Sequence, residues 1–139
     1  MKPDLKEDFL RLLGLAKRAG RAELGEDGVG SAAQSGKARV IFLASDAADN
    51  SARRVRNFTE GTHITVLSIP VSKEELGAAC GRGVCAMLAI TESGLAAAAV
   101  SKLALLCPGT YDEAARILQE KDVRIRQRRG KKRPRKQSL

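Results

Sequence analysis

The segment RVIFLA at residues 39–44 is the strongest indication of the fold in this sequence. A continuous apolar run of this kind is typical of a strand that is buried on both faces of a sheet. Two similar runs follow along the chain, ITVLSI at residues 64–69 and VCAMLAI at residues 84–90. Together the three runs predict a central sheet whose two faces are both covered by helices.

Helical patterns separate these strands, and Leu12 and Leu88 are expected in the core between the layers. Strand and helix alternate throughout, which predicts βαβ units in a three-layer sandwich and, taken alone, parallel strands. The remaining predicted elements are, in chain order, helix 4–18, a short strand at 21–24, a weak helix opened by Gly25 and ending before Gly36, helix 51–60, a helix opened by the capping box of Ser72 and Glu75, and helix 91–106.

The net charge is confined to the C-terminal end of the chain. Residues 1–120 hold 15 Lys and Arg against 15 Asp and Glu, whereas residues 121–139 hold ten against one. A concentrated basic segment predicts an arm that binds a polyanion and is disordered without its partner. The predicted organisation is an α/β domain at 1–106, a short C-terminal helix at 107–120 that Thr110 and Glu113 would cap, and a basic tail at 121–139.

Several classes of function lack support in the sequence. Three cysteines without a CxxC pair predict neither a disulfide framework nor a zinc site. The only histidine, His63, stands in no nucleophile–base pattern, and the glycine-rich GEDGVG lacks the lysine of a phosphate loop. With no apolar signal segment and no membrane span, we expect a cytoplasmic protein that is not an enzyme and has no cofactor, metal or membrane partner.

Four segments, taken in order and spacing, resemble a known family. They are LLGLAKRAGRAELGEDGV at 12–29, SGKARVIFLASDA at 35–47, PVSKEELGAACGR at 70–82 and CAMLAIT at 85–91. These resemble the bacterial YlxQ-like branch of the kink-turn-binding ribosomal-protein superfamily, the archaeal L7Ae and eukaryotic L30e type, over residues 5–105. The resemblance implies an α-β-α sandwich around a small mixed sheet. It also implies binding to RNA that is sharply bent at tandem sheared G·A pairs.

The resemblance places RNA recognition at the turn that opens the second helix. The family has a glycine there, then a small polar residue, an Asn or Lys, a Glu or Gln, and further on a Lys. Here those positions are Gly25, Glu26, Asp27, Gly28 and Ser31. Two acids stand where phosphate would approach a helix N-terminus, Gly28 has no side chain for a guanine edge, and Ser31 has no positive charge. We therefore expect these departures to weaken the family's standard contact.

The resemblance implies further contacts outside the turn. Apolar residues after the VCAMLAI strand would pack on a flipped nucleotide, and a base in the SKEEL turn would contact the RNA backbone. The residues concerned are Ile90, Thr91 and Glu92 after the strand, Lys73 in the SKEEL turn, and Lys17, Arg18 and Arg21 before the recognition turn. The phosphate contacts expected in the tail are Arg124, Arg126, Arg128, Arg129, Lys131, Lys132, Arg133, Arg135 and Lys136.

Each of these positions also has a structural interpretation. Glu26 and Asp27 would stabilise the first turn of a weak helix, Ile90 would be core, and Thr91 would cap a helix. The acids of SDAADN would likewise be helix caps. The leading hypothesis is a monomeric protein that binds structured RNA, including ribosomal RNA. The alternative is a ribosome-associated protein-interaction module whose kink-turn surface has decayed.

Overall fold

The computed structural model describes residues 4–132 of the 139-residue chain, with side chains described up to residue 130. Ten elements alternate along these residues. They are α1 (Leu5–Arg18), β1 (Ala22–Leu24), α2 (Gly25–Gln34), β2 (Val40–Leu43), α3 (Asp49–Thr59), β3 (Thr65–Ser68), α4 (Lys73–Ala79), β4 (Met87–Ile90), α5 (Ser93–Leu106) and α6 (Asp112–Lys132).

The four strands form a mixed sheet in the order β1-β4-β2-β3. Only β2 and β3 are parallel, while β4 runs antiparallel to both of its neighbours, β1 and β2. The mixed sheet that the resemblance implied is therefore confirmed, and the parallel sheet expected from alternation alone is wrong. The reason is that α4 has only seven residues, about 10 Å of helix, so the chain re-enters the sheet at the end where β3 left it.

Two apolar clusters fill the space on the two faces of the sheet. One joins the sheet to α1, α4, α5 and α6 and includes Phe9, Phe42 and Leu88, all fully buried. The rings of Phe9 and Phe42 meet edge to face with their centroids 5.5 Å apart. The other cluster joins the sheet to α2 and α3. This three-layer arrangement confirms the predicted sandwich, although Leu13 takes the fully buried place that we expected for Leu12.

The C-terminal helix is longer than the sequence predicted. We expected a short helix ending at residue 120, but α6 continues to Lys132. The arginines of this segment are good helix formers, and Asp122 anchors it by packing against α5 with only 2% of its surface exposed. Residues 121–132 therefore form the second half of a helix and not the disordered tail that we expected. Residues 133–139 lie outside the described part of the chain.

The helix caps differ in part from those predicted. Ser72 and Glu75 form the expected capping box at α4. Asp46 does not cap the helix that follows it, because its carboxylate accepts a hydrogen bond from the backbone N–H of Lys73 at 2.8 Å. Residue 48, an alanine, occupies the N-cap position of α3. Across residues 4–132, no helix combines the length and apolar character needed to cross a membrane.

Candidate RNA interface

The recognition turn joins β1 to α2 at Gly25. Gly25 has a φ of +79°, a conformation that strains any residue with a side chain. Leu24 occupies the N-cap position of α2, and its side chain makes no capping hydrogen bond. The N–H of Gly25 donates to the sulfur of Cys85. The backbone N–H groups that follow it at the start of α2 have no side-chain cap from Leu24, so they are left for an external acceptor, and the helix dipole favours a negative one.

The loop that precedes β4 lies directly against this turn. A side chain built at Gly25 would begin 3.3 Å from a guanidinium nitrogen of Arg82, and the backbone of Gly25 contacts the sulfur of Cys85. Between these two residues, Val84 exposes 58% of its surface, which is unusual for a large apolar side chain. Arg82 and Val84 were not predictable from the sequence as part of this surface, because the position of their loop beside the turn depends on the direction of β4.

The two acids of the turn differ in their surroundings. Glu26 pairs with Arg54 of α3 through a 3.0 Å contact between Oε2 and Nε. Its charge is thus partly neutralised and is held on the α3 side of the turn. Asp27 is exposed and has no ion-pair partner among the described residues. Of the two predicted repulsive charges, only the one on Asp27 is unopposed.

Gly28 faces a carboxylate from the neighbouring strand. A side chain built at Gly28 would begin 3.3 Å from Oε1 of Glu23, an exposed residue of β1. Position 28, where the family has a Glu or Gln, therefore has no side chain in this protein, but the carboxylate of Glu23 lies beside it. The local sequence did not indicate that Glu23 lies beside position 28, because residues 23 and 28 belong to different elements.

A groove of about 460 Å³ runs along α2 away from the turn. Gly28 and Ser31 line it on the helix side, and Thr91 contributes from the end of β4. Its positively charged residues are Arg21, Lys37 and Arg39. The groove therefore connects the recognition turn with the opposite end of the sheet along a lining that carries positive charge.

The residues predicted after β4 lie at that opposite end. Ile90 is fully buried in the core and pairs with Ala22 of β1. The side chain of Glu92 caps α5 by accepting hydrogen bonds from the backbone N–H groups of Gly94 and Leu95. The prediction that Thr91 caps this helix is therefore wrong, since Glu92 is the N-cap. The backbone N–H of Thr91 instead donates to the carbonyl of Arg21. The structure does not bring Ile90 or Glu92 to the recognition turn.

The remaining predicted cations are divided between surfaces. The carbonyl of Lys73 accepts a hydrogen bond from the N–H of Cys85, which places Lys73 at the turn end of the sheet. Lys17 and Arg82 both lie close enough to Cys80 to oppose the burial that raises the pKa of that thiol to about 11. Arg18 instead faces a depression between α1 and α4.

The predicted tail contacts are carried by the second half of α6. The hydroxyl of Ser93 donates a 2.7 Å hydrogen bond to Asp122, and Arg126 pairs with the same carboxylate at 3.1 Å. Arg124, Arg128 and Arg129 are exposed. Lys131 and Lys132 belong to the helix, whereas the predicted contacts Arg133, Arg135 and Lys136 lie outside the described residues.

No group of three or more metal-ligating side chains occurs within residues 4–132. The thiols of Cys80 and Cys85 are buried, and burial raises the pKa of both. A raised pKa lowers the fraction of thiolate, the form that reacts as a nucleophile.

Comparison with known proteins agrees with this fold. The model of the ribosomal protein L7Ae/L30e/S12e/Gadd45 family matches residues 7–100. The RNA-binding protein YlxQ of Bacillus subtilis is 30% identical over 100 residues, which cover 69% of this chain and 95% of YlxQ. A protein of unknown function from Bacillus halodurans superimposes with a TM-score of 0.63 and 26% identity, covering 68% of this chain and 95% of its own.

A more distant structure shares the fold alone. The 15.5 kD RNA-binding protein of Giardia lamblia gives a TM-score of 0.57 at 21% identity, covering 76% of this chain and 92% of its own. The architecture defines the chain as an α-β-α sandwich protein of the L7Ae type. It belongs to the ribosomal protein L7Ae/L30e/S12e/Gadd45 family, as a YlxQ-like member.

Proposed function

We propose that this protein binds structured RNA of the kink-turn type through the turn at Gly25 and the loop that carries Arg82. The observation that carries the proposal is the start of α2, where uncapped backbone N–H groups stand beside a guanidinium. A helix N-terminus of this kind favours phosphate. Family membership and the similarity to the RNA-binding protein YlxQ of B. subtilis support RNA as the ligand.

The neighbouring side chains give the turn the means to read more than phosphate. Val84 is an exposed apolar surface of the kind on which an unstacked base can pack. The carboxylate of Glu23, beside Gly28, is a hydrogen-bond acceptor of the type that a guanine edge needs. In this proposal Lys73 and Arg82 contact the RNA backbone, and the basic residues of the tail add affinity that does not depend on sequence.

The charges around the turn predict that substitutions at neighbouring positions change the affinity for RNA in opposite directions. Asp27→Asn removes the unopposed negative charge and should strengthen RNA binding about fivefold, from about 1 kcal/mol of repulsion in a wet surface. Glu23→Ala, which removes the acceptor beside Gly28, and Arg82→Gln should each weaken it by about tenfold, the effect of one lost base or phosphate contact. Arg11→Gln, an exposed change on α1, serves as the matched control.

Titration of a fluorescent kink-turn RNA measures all four variants. The proposal requires Asp27→Asn to bind more tightly than wild type and Glu23→Ala and Arg82→Gln to bind more weakly, with Arg11→Gln close to wild type. Equal affinities for all of them would contradict it. That result would favour the ribosome-associated interaction module, for which the acidic Asp27 and the side-chain-free Gly28 are the motive. The protein is proposed to act as a cytoplasmic monomer, with the ribosome among its RNA-containing partners.

A further inference from the structure

A second surface lies at the far end of the groove, where α6 crosses the start of β2. It is an open cleft of about 410 Å³, a size common among ligand-binding clefts. The positively charged residues that line it come from two elements, Arg39 at the start of β2 and Lys121, Arg124 and Arg128 on α6. No carboxylate is found among the described residues that line it.

The spacing along α6 explains why these cations face one cleft. Positions 121, 124, 125 and 128 follow the i, i+3, i+4, i+7 pattern, so they share one side of the helix. The same side presents Leu118 and Ile125, which form an apolar floor together with Ala33 and Ala96. The arrangement is therefore cationic at its rim and apolar at its base.

The helix is held in place against this cleft. Asp122, buried one position after Lys121, binds the hydroxyl of Ser93 at 2.7 Å. The ammonium of Lys121 donates to the backbone carbonyl of His63 at 3.1 Å. The three arginines of the rim, by contrast, form no ion pair with any residue between 4 and 130. Guanidinium groups that are exposed and not neutralised by a carboxylate are suited to phosphate.

We propose that this cleft binds the phosphate backbone of an RNA arm that continues along the groove from the recognition turn. The inference rests on the proposed RNA-binding function and adds a second contact, made by Arg39 with α6. The phosphates lie on the arginine rim, and the sugar and base edges lie over the apolar floor. The basic C-terminal segment is then a contact with a fixed position on the RNA, in place of an arm that binds anywhere.

The continuity of the surfaces supports RNA as the occupant. Arg39 lines both the groove that begins at Gly28 and the cleft on α6. A further depression joins Arg39 to Arg128 and Arg129. The ten residues of α2 separate the turn from this end of the groove by about 15 Å of helix, which equals about five base pairs of duplex. A single RNA can therefore span both contacts.

The test uses the full chain and two kink-turn RNAs that differ only in arm length. Arms of about ten base pairs reach the cleft, whereas arms of about three do not. Arg39→Gln and Arg128→Gln should each weaken binding of the long-arm RNA about tenfold, the effect of one charged phosphate contact. Arg116→Gln is the matched control, because it removes an exposed arginine from another side of α6.

The expected pattern is a loss for Arg39→Gln and Arg128→Gln on the long-arm RNA alone, with the control within about twofold of wild type. The cleft proposal is overturned, and the turn proposal survives, if wild type binds both RNAs but Arg39→Gln matches Arg116→Gln. Failure of wild type to bind either RNA overturns both proposals.

A competition arm separates an RNA strand from a free nucleotide. AMP carries the same phosphate, sugar and base, but it engages only part of the rim. We expect AMP at about 1 mM to leave the long-arm RNA bound. Arg39-dependent binding of AMP at micromolar concentration would overturn RNA as the occupant and assign the cleft to free nucleotides.

Discussion

Replacement of Asp122 by alanine tests how α6 is held on the domain. Asp122 and Ser93 expose only 2% and 5% of their surfaces, and the 2.7 Å hydrogen bond between them involves a carboxylate. A buried hydrogen bond to a charged group contributes about 1.5–3 kcal/mol. The pair with Arg126 adds less than about 1 kcal/mol, because the arginine side chain is 69% exposed. Removing the carboxylate also removes its desolvation cost, so we expect a net loss of about 2 kcal/mol.

This loss should be local to the second half of α6. Leu118, which is 3% exposed, keeps the first half of the helix packed on the core in the variant. Amide hydrogen exchange measured by mass spectrometry should therefore accelerate about 30-fold over residues 121–130, the equivalent of about 2 kcal/mol. Glu120→Ala is the control, since that residue is exposed and its one ion pair among the described residues is with Arg116. Unchanged exchange in Asp122→Ala would refute the docking of α6 through this pair.

Three further predictions follow from burial and charge. In urea denaturation, Leu13→Ala and Leu88→Ala should each lower the free energy of unfolding by about 2–5 kcal/mol. Each loss should exceed that of Leu12→Ala, and a larger loss for Leu12→Ala would contradict the burial of Leu13 in the core. Burial raises the pKa of Cys80 to about 11 and also raises that of Cys85. At about pH 8 only the partly exposed Cys107 should therefore be alkylated rapidly. Equal alkylation rates for the three thiols would refute this. Removal of residues 131–139, which hold five cations, should reduce the salt dependence of RNA binding by up to about 4 in the log–log slope; an unchanged slope would exclude them as phosphate contacts.

The apolar runs of the sequence were sufficient to predict the layers. Continuous runs such as 39–44 mark strands that are covered on both faces, and β2 lies there. Strand direction was not predictable from alternation, because it depends on whether a connection carries the chain back across the sheet. The resemblance supplied that information, and the seven-residue α4 explains it.

Strand direction also decides which residues surround the recognition turn. The turn follows the end of β1, and β4 runs antiparallel to β1. The start of β4, with Arg82 and Val84 in the loop before it, therefore meets Gly25. The end of β4, where the sequence analysis placed a contact at Ile90, lies at the other end of the sheet.

The long α6 escaped sequence analysis for a different reason. Its second half is dominated by arginine and lysine, a composition that favours disorder when no tertiary contact is known. One contact that holds it is the hydrogen bond between Ser93 and Asp122, which are 29 positions apart in the sequence. Local pattern could place neither that bond nor the pairing of Glu26 with Arg54.

The turn at Gly25 is proposed to recognise the shape of a kink-turn. The most direct test of this proposal is the affinity of the full chain for two RNAs of equal length and charge, one with tandem sheared G·A pairs and one with Watson–Crick pairs in their place. Measured at the same physiological salt concentration, the kink-turn RNA should bind at least about tenfold more tightly, the equivalent of one specific base contact. Equal affinity for the two RNAs would mean that the protein senses charge alone, and it would contradict recognition of the kink-turn by the turn at Gly25.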